Sequence, residues 1–466
     1  MITHDEFKAL SSVFEAEDAS KDANLEHYLI DLKQIKDINK ENIIVIHGPA
    51  GIGKSSLLKL LSNTKKVDST CKVEYQQLNR LVDTIQNWGM NDRCRAVQYA
   101  IDFWILTEIA KRSYNKLTSG GDAGIRKIAT ELGLDRRDTI EQIATFALEN
   151  VEQMFSFFNK IFEADPAILS MSNITLSILN NENANPVTRI NQITDKMKAS
   201  KIFSGLYFQI DEIDDSRDNL LSDNVRHNIQ CYFQTLYDLT DSGIIAPYAI
   251  AINSSAFSIV QGLGAKYMGK LVAINCWDTE KLMQLVKERF NYAIQECGSD
   301  ISFESFLTYF SLDDSCYAKP CWEYESNDSF SLVGLLNRPR YTVNLWRYLL
   351  LELQKENYDI QNAWTMHMEY AATNGIYHLN SKFNGISSLI IELSNQAEDC
   401  ISETNFNDIR DNLARRTRNS INWIAPHVSQ LANEFKAAGF VAIAENRDIR
   451  IRKNILQVAR NLLPIN

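Results

Sequence analysis

Apolar residues along this chain change their spacing several times, and each change marks a different element. Ile43, Ile44, Val45 and Ile46 form a short unbroken run, the pattern of a strand covered on both faces. Leu57, Leu58, Leu60 and Leu61 follow at helical spacing, and a further short strand is expected near Cys71–Tyr75. Ahead of these, residues 1–42 are polar, with a helical pattern at Leu25, Tyr28, Leu29, Leu32 and Ile35 that predicts a helix leading into the first strand. From about Asn91 to Ser200 the 3.6-residue period dominates. Val97, Ile101, Trp104, Ile105 and Ile109 make one face and Ile140 to Phe162 another, with loops at Ser119–Gly124 and Asn180–Pro186.

Strand signals return at Gly205–Ile210, Tyr248–Ile252 and Leu271–Ile274. After them the chain turns helical, first through Leu282, Leu285, Val286, Arg289, Phe290 and Ala293, then through Asn337–Leu350, where Pro339 suits a first helical turn. The tail offers a helix ending near Gly439 and two short strands, Phe440–Ile443 and Ile449–Ile451, flanking a polar turn. Strands alternating with helices predict an α/β fold, a parallel sheet flanked by helices with a large helical insertion at about 91–200. The expected divisions are a helical lead-in (1–42), the sheet domain (43–275), a helical lid (276–356) and a mostly helical C-terminal region (357–466). That last region either ends in a winged-helix-like unit or is a solvated helical and hairpin cap.

Between the first strand and its helix stands Gly48, Pro49, Ala50, Gly51, Ile52, Gly53, Lys54, Ser55, then Ser56. This is the G-x-x-x-x-G-K-[ST] phosphate loop. Its glycines let backbone N–H groups curl around phosphates, Lys54 reaches the β and γ oxygens, and the Ser55 hydroxyl suits Mg²⁺. A Gly-rich turn matching by chance rarely has a buried strand before it and an apolar helix after it. With no guanine-selecting NKxD motif downstream, ATP is the expected nucleotide.

The strand at Gly205–Ile210 runs straight into Asp211 and Glu212. An acidic pair at that place suits a Mg²⁺ partner (Asp211) and a residue that orients or deprotonates the attacking water (Glu212), whereas Asp214 and Asp215 read as loop carboxylates. Tyr248–Ile252 delivers Asn253 and Ser254 to the carboxyl end of the sheet, where ligands bind in open parallel sheets. Arg338 and Arg340 precede an apolar helix, and a guanidinium that stays charged and forks suits a phosphate.

Composition narrows the field. With 466 residues, 45% hydrophobic and 23% charged, the chain has material for several packed domains. A formal charge of −11 confines any nucleic-acid contact to a local basic face. The candidate is the C-terminal region, with Arg410, Arg415, Arg416, Arg418, Arg447, Arg450, Arg452, Lys453 and Arg460. No basic-then-apolar leader or membrane-length apolar run occurs, so no membrane association and a cytoplasmic location are expected. Eight cysteines without a CxxC pair read as buried free thiols, and the seven dispersed histidines, His227 and His367 among them, as packing or surface residues. No nuclease, protease or deaminase constellation stands out.

The ordered set GPAGIGKS, LYFQIDE, AIAINSS and NRPR resembles P-loop ATPases that carry a catalytic glutamate on the acidic strand, more narrowly those of the AAA+ and STAND type. Phe14–Ala19, the stretch CWDTEKLMQLVKERFNYA (276–293) and the RPR triplet (338–340) are similar to bacterial P-loop ATPases linked with antiviral defence. The resemblance spans about residues 14–355. It implies ATP hydrolysis with Mg²⁺, Lys54 and Ser55 on phosphate and metal, Asp211 on Mg²⁺ and Glu212 as base. It further implies Asn253 as a first sensor, Arg340 or Arg338 as a second, a homo-oligomer, and a protein effector partner switched by nucleotide. Arg217, Arg226 and Arg289 are the candidates for an arginine finger; with no finger acting across an interface, turnover is expected to be slow and nucleotide to serve as a long-lived switch element. The LTSGG stretch at 117–121 lies too far ahead of the acidic strand for an ABC-type signature. Rival classes are a DNA-binding motor or loader and a non-hydrolysing nucleotide-bound scaffold.

Overall fold

The structure, a computed structural model, describes residues 2–15, 22, 24–27, 43–64, 69–87, 89–102, 104, 206–211, 223–243, 245, 248–253, 257, 260–274, 277–312, 331–336, 338–380, 386–416, 428–443 and 447–463, with isolated positions 123, 188 and 195. The faces expected at Ile140–Phe162, the LTSGG stretch and the loop at Asn180–Pro186 lie outside those residues.

Five parallel strands build the central sheet: β1 (Ile43–Gly48), β2 (Ser69–Glu74), β3 (Leu206–Asp211), β4 (Tyr248–Asn253) and β5 (Lys270–Ala273), in the order β2-β3-β4-β1-β5. The strands β1 and β4, both internal to the sheet, are apolar along most of their length for a physical reason. Every residue of β4 is buried, and Ile44, Val45 and Ile46 of β1 have no exposure. The helix α2 (Lys54–Thr64) packs on β4, β3 and β1 through Leu57, Leu58 and Leu61. One buried polar group fixes its position: Gln209 of β3 donates from Nε2 to the Leu58 carbonyl at 2.7 Å. A second helix, α3 (Tyr75–Asn87), follows β2, and α4 (Asp223–Asp241) follows the acidic end of β3.

The register sets what the sheet presents at its carboxyl edge. Gly48 pairs with Asn253, Ile210 with Ile250 and Glu74 with Asp211, so the last residues of β1, β3 and β4 share one end of the sheet.

The N-terminal segment carries a helix, α1 (His4–Glu15), and a single 3₁₀ turn at Leu25–His27; the rest of the helix expected through Ile35 falls in 28–42, outside the described residues. Phe7, Leu10, Val13 and Phe14 face inward. They pack on α5 (Thr279–Glu296) and, beyond the short α6 (Phe303–Tyr309), on α7 (Pro339–Leu353), so α1 shares a core with those helices. Phe14 stacks on Trp346 with ring centroids 5.9 Å apart.

Helix α7 serves two cores. Val343, Trp346, Leu349 and Leu350 pack with α1 and α5, whereas Tyr341 packs with the C-terminal helices. Those are α8 (Ile360–Asn380), α9 (Ile386–Ser394), α10 (Glu403–Arg416), α11 (Val428–Ala438) and α12 (Lys453–Leu462). Three short antiparallel strands accompany them, β6 (Cys400–Ile401), β7 (Val441–Ile443) and β8 (Ile449–Ile451), in the order β6-β8-β7. Among the described residues no helix is long and apolar enough to cross a membrane.

Candidate functional site

The phosphate loop leaves β1 at Gly48, where a Cβ would collide with the Ile274 carbonyl, so only glycine lets the chain after β5 run this close. Gly51 and Gly53 take φ of 74° and 103°, the left-handed turn that curls the loop before Lys54 opens α2.

What holds the curl comes from the far side of the chain. Arg338 donates from Nη1 to the Ala50 carbonyl at 3.3 Å, the Arg340 backbone N–H donates to the Gly51 carbonyl at 3.3 Å, and Trp277 donates from Nε1 to the Ile52 carbonyl at 2.9 Å. Three consecutive loop carbonyls are thereby turned toward α7 and the turn after β5. All described peptides are trans, so each carbonyl points opposite to the N–H of the next residue. The N–H groups of Gly51, Ile52 and Gly53 therefore point away from α7 and the turn after β5, as a run of N–H groups must to meet an anion on the other side of the loop.

Lys54 lays its ammonium over the same loop, donating to the Gly48 and Pro49 carbonyls, both at 3.1 Å. Ser55 and Ser56 are half-exposed on the first turn of α2. His47, one residue before the loop, stacks face to face on Phe257 at 3.9 Å. Burial, with the Lys54 charge adding to it, lowers its pKa, so the imidazole is neutral at neutral pH and adds no second cation behind Lys54.

At the adjoining strand end Asn253 is buried, and its Oδ1 has no hydrogen-bond partner among the described residues. A buried amide oxygen without a partner is costly unless a ligand or water satisfies it. Asp211, half-exposed, closes the other end of the row. Glu212, expected as base, lies outside the described residues, as does Ser254. A polyphosphate with a hard divalent cation fits this donor set: turned-in N–H groups and an ammonium for the phosphates, a hydroxyl and a carboxylate for the metal.

The two arginines of the RPR triplet differ in placement. Arg338 is buried, lies over the Tyr341 ring at 5.8 Å, and has its pKa lowered mainly by burial, with Arg452 of the C-terminal region adding repulsion. Arg340 lines Gly51, whose added Cβ would meet the Arg340 Cβ at 2.9 Å. Among the finger candidates, Arg289 is ruled out by its surroundings. It is buried, donates to the Val13 carbonyl, and pairs with Asp22 at 2.9 Å. Arg226 is exposed on α4, and Arg217 lies outside the described residues.

Of the basic C-terminal residues, several are already engaged. Arg410 is buried and paired with Asp411, Lys453 binds Asp399 and the Ala397 carbonyl, and Arg460 binds Asn395. Arg415, Arg447 and Arg450 are exposed. Sequence reasoning also gave no role to Trp277, although it stands in the quoted CWDTEK stretch, because an indole that hydrogen-bonds a distant carbonyl leaves no periodic trace.

No protein-family model and no curated protein matches the chain. Solved structures similar to it include the Walker-type ATPase PABY2304 of Pyrococcus abyssi, 12% identical, covering 92% of this chain and 93% of that one with a TM-score of 0.40. Another is the ORC2 protein of Aeropyrum pernix in ADPNP and ADP complexes, 10% identical, covering 95% and 98% with a TM-score of 0.39. The fold stated above rests on this chain's own strand order and loop geometry.

Proposed function

We propose that the chain is an ATP-binding, Mg²⁺-dependent ATPase of the AAA+/STAND type whose nucleotide state switches self-association or a protein partner. The observation that carries this reading is the set of three loop carbonyls held by Arg338, Arg340 and Trp277, which leaves the loop's N–H groups on the opposite side, where an anion would sit, and ties the loop to the start of α7 and the turn after β5. In this reading Lys54 and the loop N–H groups bind the β- and γ-phosphates, and Ser55 and Asp211 hold Mg²⁺. When bound, that ion neutralises charge on the transferring phosphoryl group. Glu212 takes the proton of the attacking water, Asn253 positions that water or the γ-phosphate, and Arg340 senses the γ-phosphate from the lid. Arg338, occupied by the Ala50 carbonyl, acts as a positioning residue.

Contact between the lid and the C-terminal helices supports a switch. A Cβ at Gly439, after α11, would lie 2.9 Å from Leu336, in the loop that delivers Arg338. Displacement of α7 by nucleotide thus presses directly on the C-terminal unit. We assign the protein to the cytoplasm and, on the resemblance alone, to bacterial antiphage defence, with any toxic activity carried by a partner.

The test pairs two variants. Lys54→Ala is expected to lose binding of a fluorescent ATP analogue, and Glu212→Gln to bind ATP yet release phosphate at least a hundredfold more slowly. Light-scattering mass is expected to change on adding ATP to Glu212→Gln. Normal turnover in that variant removes Glu212 as base, and an unchanged mass removes the assembly switch.

A second reading, DNA binding, is favoured by one observation. Helices α10 and α11 followed by the β7–β8 hairpin, with β6 closing a three-stranded sheet, follow a winged-helix order, and Arg447 and Arg450 project from the hairpin. Salt-sensitive binding to duplex DNA lost with those arginines supports it, and ATP turnover unchanged by DNA leaves it a protein-docking unit.

A further inference from the structure

The structure unites three residues that the sequence scatters. Cys94 lies in the helical stretch 93–102, while His227 and Cys231 stand four residues apart on α4, hence on one helix face. The Cys94 and Cys231 sulfurs are bonded to each other, so these two are not the free thiols that composition suggested, and free Cys297 and Cys400 are exposed instead of buried. His227 is not an isolated surface residue either. Its Nε2 lies 3.7 Å from the Cys94 Sγ and 3.7 Å from the Cys231 Sγ.

Those two distances carry the argument. A tetrahedral zinc with Zn–S of about 2.3 Å and Zn–N of about 2.0–2.1 Å sets its sulfur and nitrogen ligands about 3.6 Å apart. Both S···N edges therefore already have the length that a shared metal requires. The third edge, sulfur to sulfur, needs to open to about 3.8 Å, which follows once the bond is reduced. All three donor atoms lie within 4.8 Å of one another.

The frame around the cluster is built from side chains. Buried Asn228 accepts from Arg93 Nε and donates to Asn79 at 3.3 Å, Arg93 also donates to Gln86 at 2.9 Å, and the Tyr232 hydroxyl donates to Asn79 at 2.9 Å. These bonds tie the Cys94 stretch, α3 and α4 together without using either sulfur. Cys231 is buried and His227 exposed, so one side of the cluster is packed and the other opens to water.

We propose that Cys94, Cys231 and His227 form a zinc site with a water or further donor in the fourth position, exchanging with the disulfide according to redox state. Reduction by a thiol is balanced: two R–SH become R–S–S–R, and their two electrons and two protons turn the disulfide into two thiols. Zinc then displaces the two thiol protons as the thiolates and the neutral imidazole bind it. In a reducing compartment two cysteines brought together serve more often as ligands than as a lasting crosslink. The site links the start of the 91–200 segment to the helix that follows the acidic strand, and it rests on none of the nucleotide assignments.

The experiment uses the full chain, reduced with a phosphine under argon, freed of metal, and titrated with Co²⁺ and then Zn²⁺. Near-ultraviolet sulfur-to-cobalt charge transfer, which a phosphate-loop Co²⁺ lacks, is expected to saturate at one equivalent and be displaced by Zn²⁺. It is expected to vanish after oxidation with diamide and in Cys94→Ser and Cys231→Ser. His227→Ala, at an exposed position, is expected to keep its fold and weaken Co²⁺ at least tenfold. A band in reduced protein no stronger than in the Cys94→Ser/Cys231→Ser double variant overturns the proposal, as does a disulfide that resists the phosphine or an affinity unchanged in His227→Ala.

Discussion

His367 is buried in α8 where it packs against α7, and its protonation is expected to unfasten the loop that carries Arg338 to the phosphate loop. Its Nε2 accepts the Leu335 N–H at 3.0 Å, so the proton sits on Nδ1, which faces the Asn344 Oδ1 at 3.0 Å. Trp364 and Tyr341 pack beside the ring. Burial alone pushes its pKa down to about 3 from an ordinary 6.5. The sign follows from linkage. Between pH 6.5 and about 3 the unfolded chain takes up a proton that the folded chain refuses, so stability present above pH 6.5 is lost as pH falls. At pH 5 the unfolded imidazole is almost fully protonated and the native one is not, which costs about 2 kcal/mol relative to pH 7.5. The assay is urea unfolding followed by tryptophan fluorescence, since Trp346 and Trp364 flank this junction, at pH 7.5 and pH 5 for wild type and His367→Gln. The amide keeps an acceptor and a donor but does not titrate, and every other titrating group cancels in the comparison. Wild type is expected to lose about 2 kcal/mol more than the variant over that interval. Equal losses in the two proteins refute the assignment of a neutral, hydrogen-bonded imidazole.

Three other outcomes follow from named contacts. Gly51→Ala forces a Cβ at φ 74° to within 2.9 Å of the Arg340 Cβ, and the left-handed conformation alone costs about 1–2 kcal/mol, so ATP affinity is expected to fall about tenfold or more by fluorescence titration. Asp22→Ala removes the carboxylate paired with the buried Arg289 guanidinium and is expected to cost about 3–5 kcal/mol in urea unfolding, with Asp22→Asn losing less because it keeps an acceptor oxygen. If duplex DNA binds through Arg415, Arg447 and Arg450, the slope of log K against log salt is expected to be no steeper than about −2.7, and a much steeper slope places the contact elsewhere.

The nucleotide loop, its flanking strand and helix, and the acidic strand are written in short contiguous stretches, because a phosphate cradle needs glycines at fixed spacing and a doubly covered strand needs an unbroken apolar run. The strands at 69–74, 206–211, 248–253 and 270–273 match their expected places within a residue or two for the same reason. Helix α1 carries its inward face at Phe7, Leu10, Val13 and Phe14, a shorter periodic stretch than the one at Leu25–Ile35. Strand order was not legible. Only pairing sets β4 between β1 and β3 and thereby brings Asn253 level with Gly48. The carbonyl clamp on residues 50–52, the burial that removes Arg289 from the finger candidates, and the meeting of Cys94 with His227 and Cys231 all join positions more than a hundred residues apart. Such contacts are decided by how elements pack in three dimensions, which no local period encodes, whereas a loop or a strand is specified by the few residues that form it.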